Sequence, residues 1–310
     1  MLYPAPVLHA SGLLDADQGH RIYWEESGNP SGRPVLLLHG GPGAPAGAGA
    51  RRWFDGRTCR IITFDQRGTG RSSPLASVVA NTTRHLLSDI ERLRRHVGVD
   101  RWVVWGHSWG ATLALAYAQS FGDRVAGLVL SATFTATTLE FEWLYGGVAG
   151  SEFPVQWREF VETVDDAPPK TIVERYLHAL LHGDDERQSA AAAAWCAWED
   201  TLAGVPARAQ KPSASASRSR AVLGAHFANH RAFLDDGEIV DRLSELPYVP
   251  VRIVHGACDL VSLPRASTVV ASGCANAQLR LVDDAGHDPS HPAFMTALID
   301  AGDAVIAEAR

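Results

Sequence analysis

A serine between glycines, Gly106-His107-Ser108-Trp109-Gly110, is the strongest chemical signal in the sequence. The G-x-S-x-G pattern is typical of a sharp strand-to-helix turn that exposes a serine hydroxyl, and its glycines let the two backbones approach closely. A motif this short also occurs by chance. Here the apolar run WVVW at 102–105 precedes it and a helical pattern at 111–122 follows it. We therefore predict that Ser108 is a nucleophile.

A serine hydroxyl needs a general base, and we predict that His287 supplies it. In the fold that carries this motif, the chain order is serine, acid, histidine. His287 lies in DDAGHDP, directly after the strand-like run LRLV. The nearest alternative, His291, lies at the start of the predicted final helix. The two histidines are four residues apart, but no HExxH pattern or third ligand accompanies them, so we predict no metal.

The acid should follow the preceding strand, and VRIVHGACD ends in Asp259. A carboxylate there would hold the imidazole tautomer and stabilise the imidazolium. Asp283 and Asp284 are alternatives, but they precede His287 on the same loop and are typical of a surface turn. Chain order and loop position favour Asp259.

Two glycine-rich loops follow predicted strands and should lie near the serine. In HGGPGAP at 39–45, the N–H of Gly41 is predicted to form an oxyanion hole with the N–H of Trp109. The alternative is a plain Gly/Pro turn. The second loop, FDQRGTGRS at 64–72, matches no phosphate-binding pattern. We interpret it as a shaped loop beside the site, where Asp65 and Arg67 form buried ion pairs.

The elements that must position these residues alternate between strand and helix in the first third of the chain. HRIYWEESG, PVLLLHG, CRIITFDQRG, WVVW and VAGLVLSAT read as strands, and residues 82–97 and 111–122 as helices, with Thr82 or Thr83 as a predicted N-cap. This βαβ rhythm predicts a parallel sheet with helices on both faces. Together with the serine turn, it predicts an α/β fold of the α/β-hydrolase type.

The rhythm breaks between residues 136 and 245, which we predict to form an inserted helical cap. WREFVETV, TIVERYLHALL and QSAAAAAWCAWEDTLAG have helical spacing, while GVPARAQKPSASASRSR at 204–220 is typical of a mobile surface loop. Strand signals return in PYVPVRIVHG and AQLRLVDDAG. The predicted hydrolase core is therefore 1–135 together with 246–310.

Composition excludes several other classes of protein. The net charge of −7 argues against nucleic acid or an anionic membrane as the main partner. No apolar run approaches the roughly 18 residues that a membrane span needs. With four scattered cysteines and no export signal at the N-terminus, we expect a cytoplasmic protein with free thiols. Oligomeric state stays open.

Taken together, the segments resemble the bacterial proline iminopeptidases, or prolyl aminopeptidases, over nearly the whole chain. The resemblance is carried by YWEESGNP, LLHGGPGAP, FDQRGTGRSSP, DIERLRRHVGVDRW, GHSWGATLALAYAQ, AWCAWED and AGH. It implies an α/β-hydrolase fold with a helical cap, and cofactor-free removal of an N-terminal residue, usually proline, from small peptides. It also implies that Glu199 of the cap receives the substrate amine and that Phe134 and Tyr145 line the pocket.

Several positions depart from the family pattern. His107 stands where the family usually has a glycine in the serine turn. Gly224 falls where a second amine-binding glutamate is expected, and Ser131 replaces an arginine. Before the predicted acid, Gly-Arg-Tyr-Asp becomes Gly256-Ala257-Cys258-Asp259.

These departures leave three hypotheses for function. The first is an aminopeptidase acting on small peptide substrates with N-terminal proline or another small residue. The second is an amidase or esterase acting on a small metabolite through a rebuilt cap pocket, in which Glu199 faces solvent or pairs with an arginine of the cap. The third is a non-catalytic ligand-binding homologue, against which the intact set of Ser108, Asp259 and His287 argues.

Overall fold

The structure is a computed structural model that describes residues 2–165, 170–205 and 213–309. Its strands are β1 (Leu8–Asp15), β2 (Arg21–Gly28), β3 (Arg33–Leu38), β4 (Cys59–Phe64), β5 (Trp102–His107), β6 (Val125–Ser131), β7 (Val251–Gly256) and β8 (Ala277–Val282). Its α-helices are α1 (Thr83–His96), α2 (Trp109–Ser120), α3 (Thr138–Tyr145), α4 (Pro154–Glu162), α5 (Ile172–His182), α6 (Asp185–Leu202), α7 (Ala214–Asn229), α8 (Glu238–Asp241), α9 (Pro264–Gly273) and α10 (Pro292–Glu308). None of the helices in these ranges has the length and apolar character needed to cross a bilayer.

The strands form one sheet in the order β1-β2-β4-β3-β5-β6-β7-β8. β1, β2 and β4 pair antiparallel, and the pairs from β4 through β8 are parallel. Parallel neighbours bring their carboxyl ends to the same edge, where such sheets bind ligands. The loops after β3, β5, β7 and β8 therefore meet at one edge.

Helices cover both faces of the sheet. Along β5, Val104 packs into the core that contains Ile90 of α1 and Leu113 of α2. Its neighbour Val103 packs into a second core with Val305 of α10. Successive side chains of a strand point to opposite faces, so an unbroken apolar run serves both layers. This layered architecture confirms the predicted fold class.

The chain between β6 and β7 contains α3 to α8, and we call its residues 136–245 the cap. The helical segments predicted there lie in α4, α5 and α6. Aromatic side chains fill its interior, where the rings of Phe160 and Tyr176 stack with centroids 4.3 Å apart. Trp195 and Trp198 of α6 pack against Phe160 as well.

The prediction of a mobile loop at 204–220 is wrong for residues 213–220. Residues 206–212 lie outside the described residues, but α7 already begins at Ala214, with the Ser213 hydroxyl accepting from the backbone of Ala216. Ser219 is only 1% exposed. Its hydroxyl contacts the carbonyl oxygens of Gly43 and Gly68, at 3.1 and 2.7 Å. This part of α7 therefore packs directly on the two glycine-rich loops.

Candidate active site

Ser108 lies in the tight turn between β5 and α2, with φ 56° and ψ −125°. A non-glycine residue rarely adopts such a conformation, and it is held here by the packing on either side. A side chain at Gly106 would collide with the carbonyl of Gly110, and one at Gly110 with the carbonyl of Leu38. The two glycines of the motif are thus required by the close approach of β5, α2 and β3.

Asp259 and His287 meet at the ends of the neighbouring strands β7 and β8. His287 Nδ1 lies 2.8 Å from Asp259 Oδ2. The other carboxylate oxygen accepts from the backbone N–H groups of Val261 and Ser262, at 2.8 and 3.0 Å. Burial alone would raise the pKa of Asp259, but the nearby His287 and His255 hold it well below its usual value. The aspartate is therefore a fixed anion beside the imidazole.

A second histidine, which was not predicted from the sequence, contacts this carboxylate. His255 is fully buried, and its Nε2 lies 2.7 Å from the carbonyl oxygen of Ser262 and 3.2 Å from Asp259 Oδ2. A carbonyl oxygen only accepts, so Nε2 carries a proton, and Nδ1 contacts the Ser267 hydroxyl at 2.6 Å. His255 thus contacts the same carboxylate oxygen of Asp259 as His287 does and helps to hold it in place. The only sequence signal was its position on the strand that leads to the acid.

The loop after β3 runs beside the serine turn. A Cβ added at Gly40 would lie 3.4 Å from that of Ser108, and Gly41 has φ +127°, a value that favours glycine. Buried His39 donates from Nδ1 to the Gly40 carbonyl and accepts at Nε2 from the backbone N–H of Gln66, both at 2.9 Å. Burial lowers the pKa of His39, which keeps this ring neutral.

Gln66, which was also not predicted from the sequence, joins this loop to the residue after Ser108. Its side-chain amide donates to the His39 carbonyl oxygen at 2.9 Å and accepts from Trp109 Nε1 at 2.9 Å. Gly41 and Trp109, the predicted oxyanion donors, therefore lie on segments held by the same glutamine. The D-Q-R-G motif was the signal that could have identified it.

Arg67 and Asp65 of this second loop both form ion pairs, as predicted, but only the pair of Arg67 with Asp89 is buried on both sides. Arg67 makes a bidentate pair with Asp89 of α1, at 2.6 and 2.8 Å, and both side chains are fully buried. Asp65 accepts from Arg71 at 2.9 Å, where the arginine is half exposed. These contacts fix the shape of the loop.

His107, the departure in the serine turn, pairs with Ser131, another departure. His107 Nδ1 lies 2.9 Å from Ser131 Oγ, and its ring centroid is 5.0 Å from that of His287. Burial and then the neighbouring His287 lower the pKa of His107 to about 3. His107 is therefore a neutral side chain that packs against the predicted base.

The alternative acids and base lie elsewhere. Asp283 and Asp284 are exposed on the turn after β8, and Asp284 has φ 57°. His291 occupies the N-cap position of α10, and its side chain makes no hydrogen bond to the helix. Within the described parts of the chain, no group of three or more His, Cys, Asp or Glu side chains is arranged to hold a metal ion.

A cavity of about 310 Å³ lies between this edge of the sheet and the cap. Ser108 and His287 line it from the core, and Glu199 and Arg220 line it from the cap. Most of the remaining wall is apolar. Its side chains include Trp109, Phe134, Phe141, Leu144, Tyr145, Leu202, Phe227 and Val261.

Glu199 is already engaged in this cavity. Its Oε1 accepts from the Tyr145 hydroxyl at 3.0 Å and from Trp195 Nε1 at 2.8 Å. Its Oε2 accepts from Arg220 Nε at 2.7 Å, and Arg220 Nη1 also donates to Asp200 at 2.8 Å. Burial lowers the pKa of Arg220, but Glu199 and Asp200 raise it more, so the guanidinium stays charged.

Gly224 lies beside the same group. A Cβ added there would lie 2.8 Å from Trp195 Nε1, closer than real side chains approach. The indole of Trp195 thus occupies the space into which a longer side chain at position 224 would extend. The packing of α6 on α7 therefore leaves no room for a glutamate at position 224, where the family pattern predicts one.

The fold and site define the class of the protein. Residues 33–293 match the model of a family described as alpha/beta hydrolase fold. The chain therefore belongs to the α/β-hydrolases.

Within that class, relatives that are similar over nearly the whole chain show to which family the protein belongs. A proline iminopeptidase of Neisseria meningitidis serogroup B is 40% identical over 294 residues, covering 94% of each chain. A probable proline iminopeptidase of Leptolyngbya boryana is 37% identical over 312 residues, covering 99% of this chain and 97% of the relative. The protein belongs to the proline iminopeptidase family and is a serine hydrolase, which confirms the resemblance found in the sequence.

Solved structures agree on the fold. A proline iminopeptidase-related protein from Thermus thermophilus superposes with a TM-score of 0.62 at 25% identity, covering 96% of this chain and 99% of that one. A hydrolase from Pseudomonas aeruginosa reaches a TM-score of 0.66 at 20% identity, covering 94% and 97%. The second similarity concerns the fold alone.

Proposed function

We propose that the protein is an aminopeptidase that releases N-terminal proline, or another small residue, from small peptides. The observation that carries the proposal is that one and the same cavity is lined by Ser108 and His287 on one side and by Glu199 on the other. The relatives named proline iminopeptidase support it. Such a cavity holds the scissile carbonyl at the serine and the free amine at a carboxylate.

In the proposed reaction, His287 removes the proton of Ser108 as its oxygen attacks the carbonyl carbon of the first residue. Asp259 holds the imidazole and stabilises the imidazolium that forms. The N–H groups of Gly41 and Trp109 stabilise the negative oxygen of the tetrahedral intermediate. His287 then gives its proton to the leaving amine, and water hydrolyses the acyl-serine by the same steps.

The acyl pocket is aromatic and small. Phe134 and Phe141 contact each other edge to face with centroids 5.3 Å apart, and Tyr145 stacks on Trp195 at 4.7 Å. Apolar rings at these positions suit a compact, apolar acyl group such as proline. The substrate ammonium loses water when it enters, so it needs a carboxylate partner, and we assign that role to Glu199.

The test is a panel of rates on proline p-nitroanilide, its N-acetylated form and p-nitrophenyl acetate. We expect turnover of the free-amine arylamide with a high KM, and loss of turnover when the amine is acetylated. Glu199→Gln should raise KM more than it lowers kcat, because the contact exists in both the ground and transition states. Equal rates on the acetylated substrate, together with no effect of Glu199→Gln, would contradict the proposal.

A second candidate is an amidase or esterase that acts on an uncharged small substrate. It is favoured by the contact between Glu199 and Arg220, which neutralises the carboxylate, and by Trp195 next to Gly224. In that case the ester and the acetylated arylamide should be the better substrates in the panel.

A further inference from the structure

Glu199, the carboxylate to which the proposed function assigns amine binding, is already paired with Arg220. Glu199 and Asp200 are consecutive residues of α6, and Arg220 of α7 contacts both carboxylates with different nitrogens. The three groups carry a net charge of −1. A substrate ammonium is still attracted to this cluster, but it meets a cation that is already in place.

The acceptor sites of Glu199 limit where an ammonium can bind. Among the described residues, Oε1 accepts two hydrogen bonds from neutral donors, and Oε2 accepts one from Arg220. A carboxylate oxygen accepts about two hydrogen bonds, so the remaining site lies at Oε2, beside the guanidinium. An ammonium bound there is repelled by the like charge or must displace it.

Arg220 has a second partner besides Glu199. Its Nη1 lies 2.8 Å from Asp200 Oδ1, and about a quarter of its side chain is exposed to solvent. The guanidinium can therefore leave Glu199 and remain paired with Asp200, whose side chain is 40% exposed. Leaving Glu199 then requires neither an unpaired buried charge nor a change in α7.

From these contacts, and resting on the proposed function, we propose that Arg220 competes with the substrate ammonium for Glu199. It thereby sets the affinity of the cavity for free-amine substrates. Arg220 is a specificity-determining residue that acts through Glu199. Its removal strengthens the binding of substrates with a free amine and leaves uncharged substrates unaffected.

The test compares the wild type, Arg220→Met, Glu199→Gln and the double variant on the three substrates of the panel. Arg220→Met should lower KM for proline p-nitroanilide about threefold or more, the factor expected when a partly exposed ion pair no longer competes, with kcat within about twofold. KM for p-nitrophenyl acetate should not change. In the Glu199→Gln background, Arg220→Met should have no effect, because the group for which the two cations compete is gone.

Two variants control for charge and for folding. Arg175→Met removes an equal charge from α5, where Arg175 pairs with Asp165, and should leave every KM unchanged. Asp200→Asn removes the alternative partner of Arg220 and should raise KM for the free-amine substrate when Glu199 is present. In the Glu199→Gln background Asp200→Asn should change KM little, whereas an equal rise there would reflect only the lost negative charge and would contradict the competition. This comparison tests the competition even when Arg220→Met does not fold.

An unchanged or higher KM of Arg220→Met for the free amine would overturn the inference, as would an equal change with the ester. Failure of the proposed function has a different signature. When the wild type prefers uncharged substrates and Arg220→Met gains proline arylamidase activity, the inference stands and the aminopeptidase proposal does not. When neither protein depends on the free amine, both fail.

Discussion

The indole Nε1 of Trp109 donates a 2.9 Å hydrogen bond to Oε1 of Gln66. The same amide donates to the carbonyl of His39, so one side chain ties the residue after Ser108 to the loop that carries Gly41. The two N–H groups proposed as oxyanion donors belong to segments far apart in sequence. This glutamine therefore adds a link between the two segments to the one that the pairing of β3 with β5 provides.

Replacement of Gln66 by methionine should slow catalysis more than it weakens binding. Methionine preserves the length of the side chain but removes both hydrogen bonds, and small displacements of oxyanion donors cost rate. We expect kcat to fall about tenfold or more, with KM within about threefold. Gln278→Met, at an exposed site on β8, is the matched control. Similar kinetics for the two variants would refute the role of Gln66.

Ser108→Ala should remove both turnover and labelling by a fluorophosphonate probe. Deletion of a triad member costs on the order of 10³-fold or more in rate. Ser272→Ala, on the exposed side of α9, should label and turn over like the wild type. Persistent labelling of Ser108→Ala would place the nucleophile elsewhere.

Asp259→Asn should reduce the rate by on the order of 10⁴-fold, because an amide favours the wrong imidazole tautomer of His287. Asp284→Asn should have little effect, since Asp284 is exposed on the turn after β8. The two variants make the same substitution in neighbouring loops. A difference between their kcat/KM values therefore reflects the position of the aspartate and not the loss of a charge as such. A larger loss in Asp284→Asn would reverse the assignment of the acid.

His107 should make the stability of the protein depend on pH. Its pKa in the folded state, about 3, lies below the unfolded value of about 6.5. The unfolded state therefore binds more protons between these values, and the free energy of unfolding falls as the pH is lowered through that window. From pH 7 to 5.5 the contribution of His107 is about 1 kcal/mol.

Urea unfolding of the wild type and His107→Asn at both pH values measures this contribution. Asparagine has a polar atom at the δ position, where Nδ1 of His107 contacts the Ser131 hydroxyl, but it does not titrate. The variant should lose about 1 kcal/mol less than the wild type on acidification. Equal losses in the two proteins would mean that His107 is protonated in the folded state as readily as in the unfolded state.

Local patterns in the sequence were sufficient for the fold and the family. Apolar runs ending in glycine predicted the strands, and the G-x-S-x-G segment predicted the turn at Ser108. These signals are local, because strand burial and a tight turn impose residue types on consecutive positions. Chain order and loop position selected Asp259 and His287, whose Oδ2 and Nδ1 atoms the structure places 2.8 Å apart.

The partners of individual polar side chains were decided by the tertiary structure. Composition predicted a mobile loop through Ser219, yet its hydroxyl contacts carbonyls 176 and 151 residues away, at Gly43 and Gly68. Resemblance assigned Glu199 to a substrate amine, but Arg220 occupies one of its oxygens. The sequence specifies the spacing of apolar residues and the polarity of each segment. Whether a charged group meets substrate, solvent or another side chain depends on ångström distances that only the packing of distant segments sets.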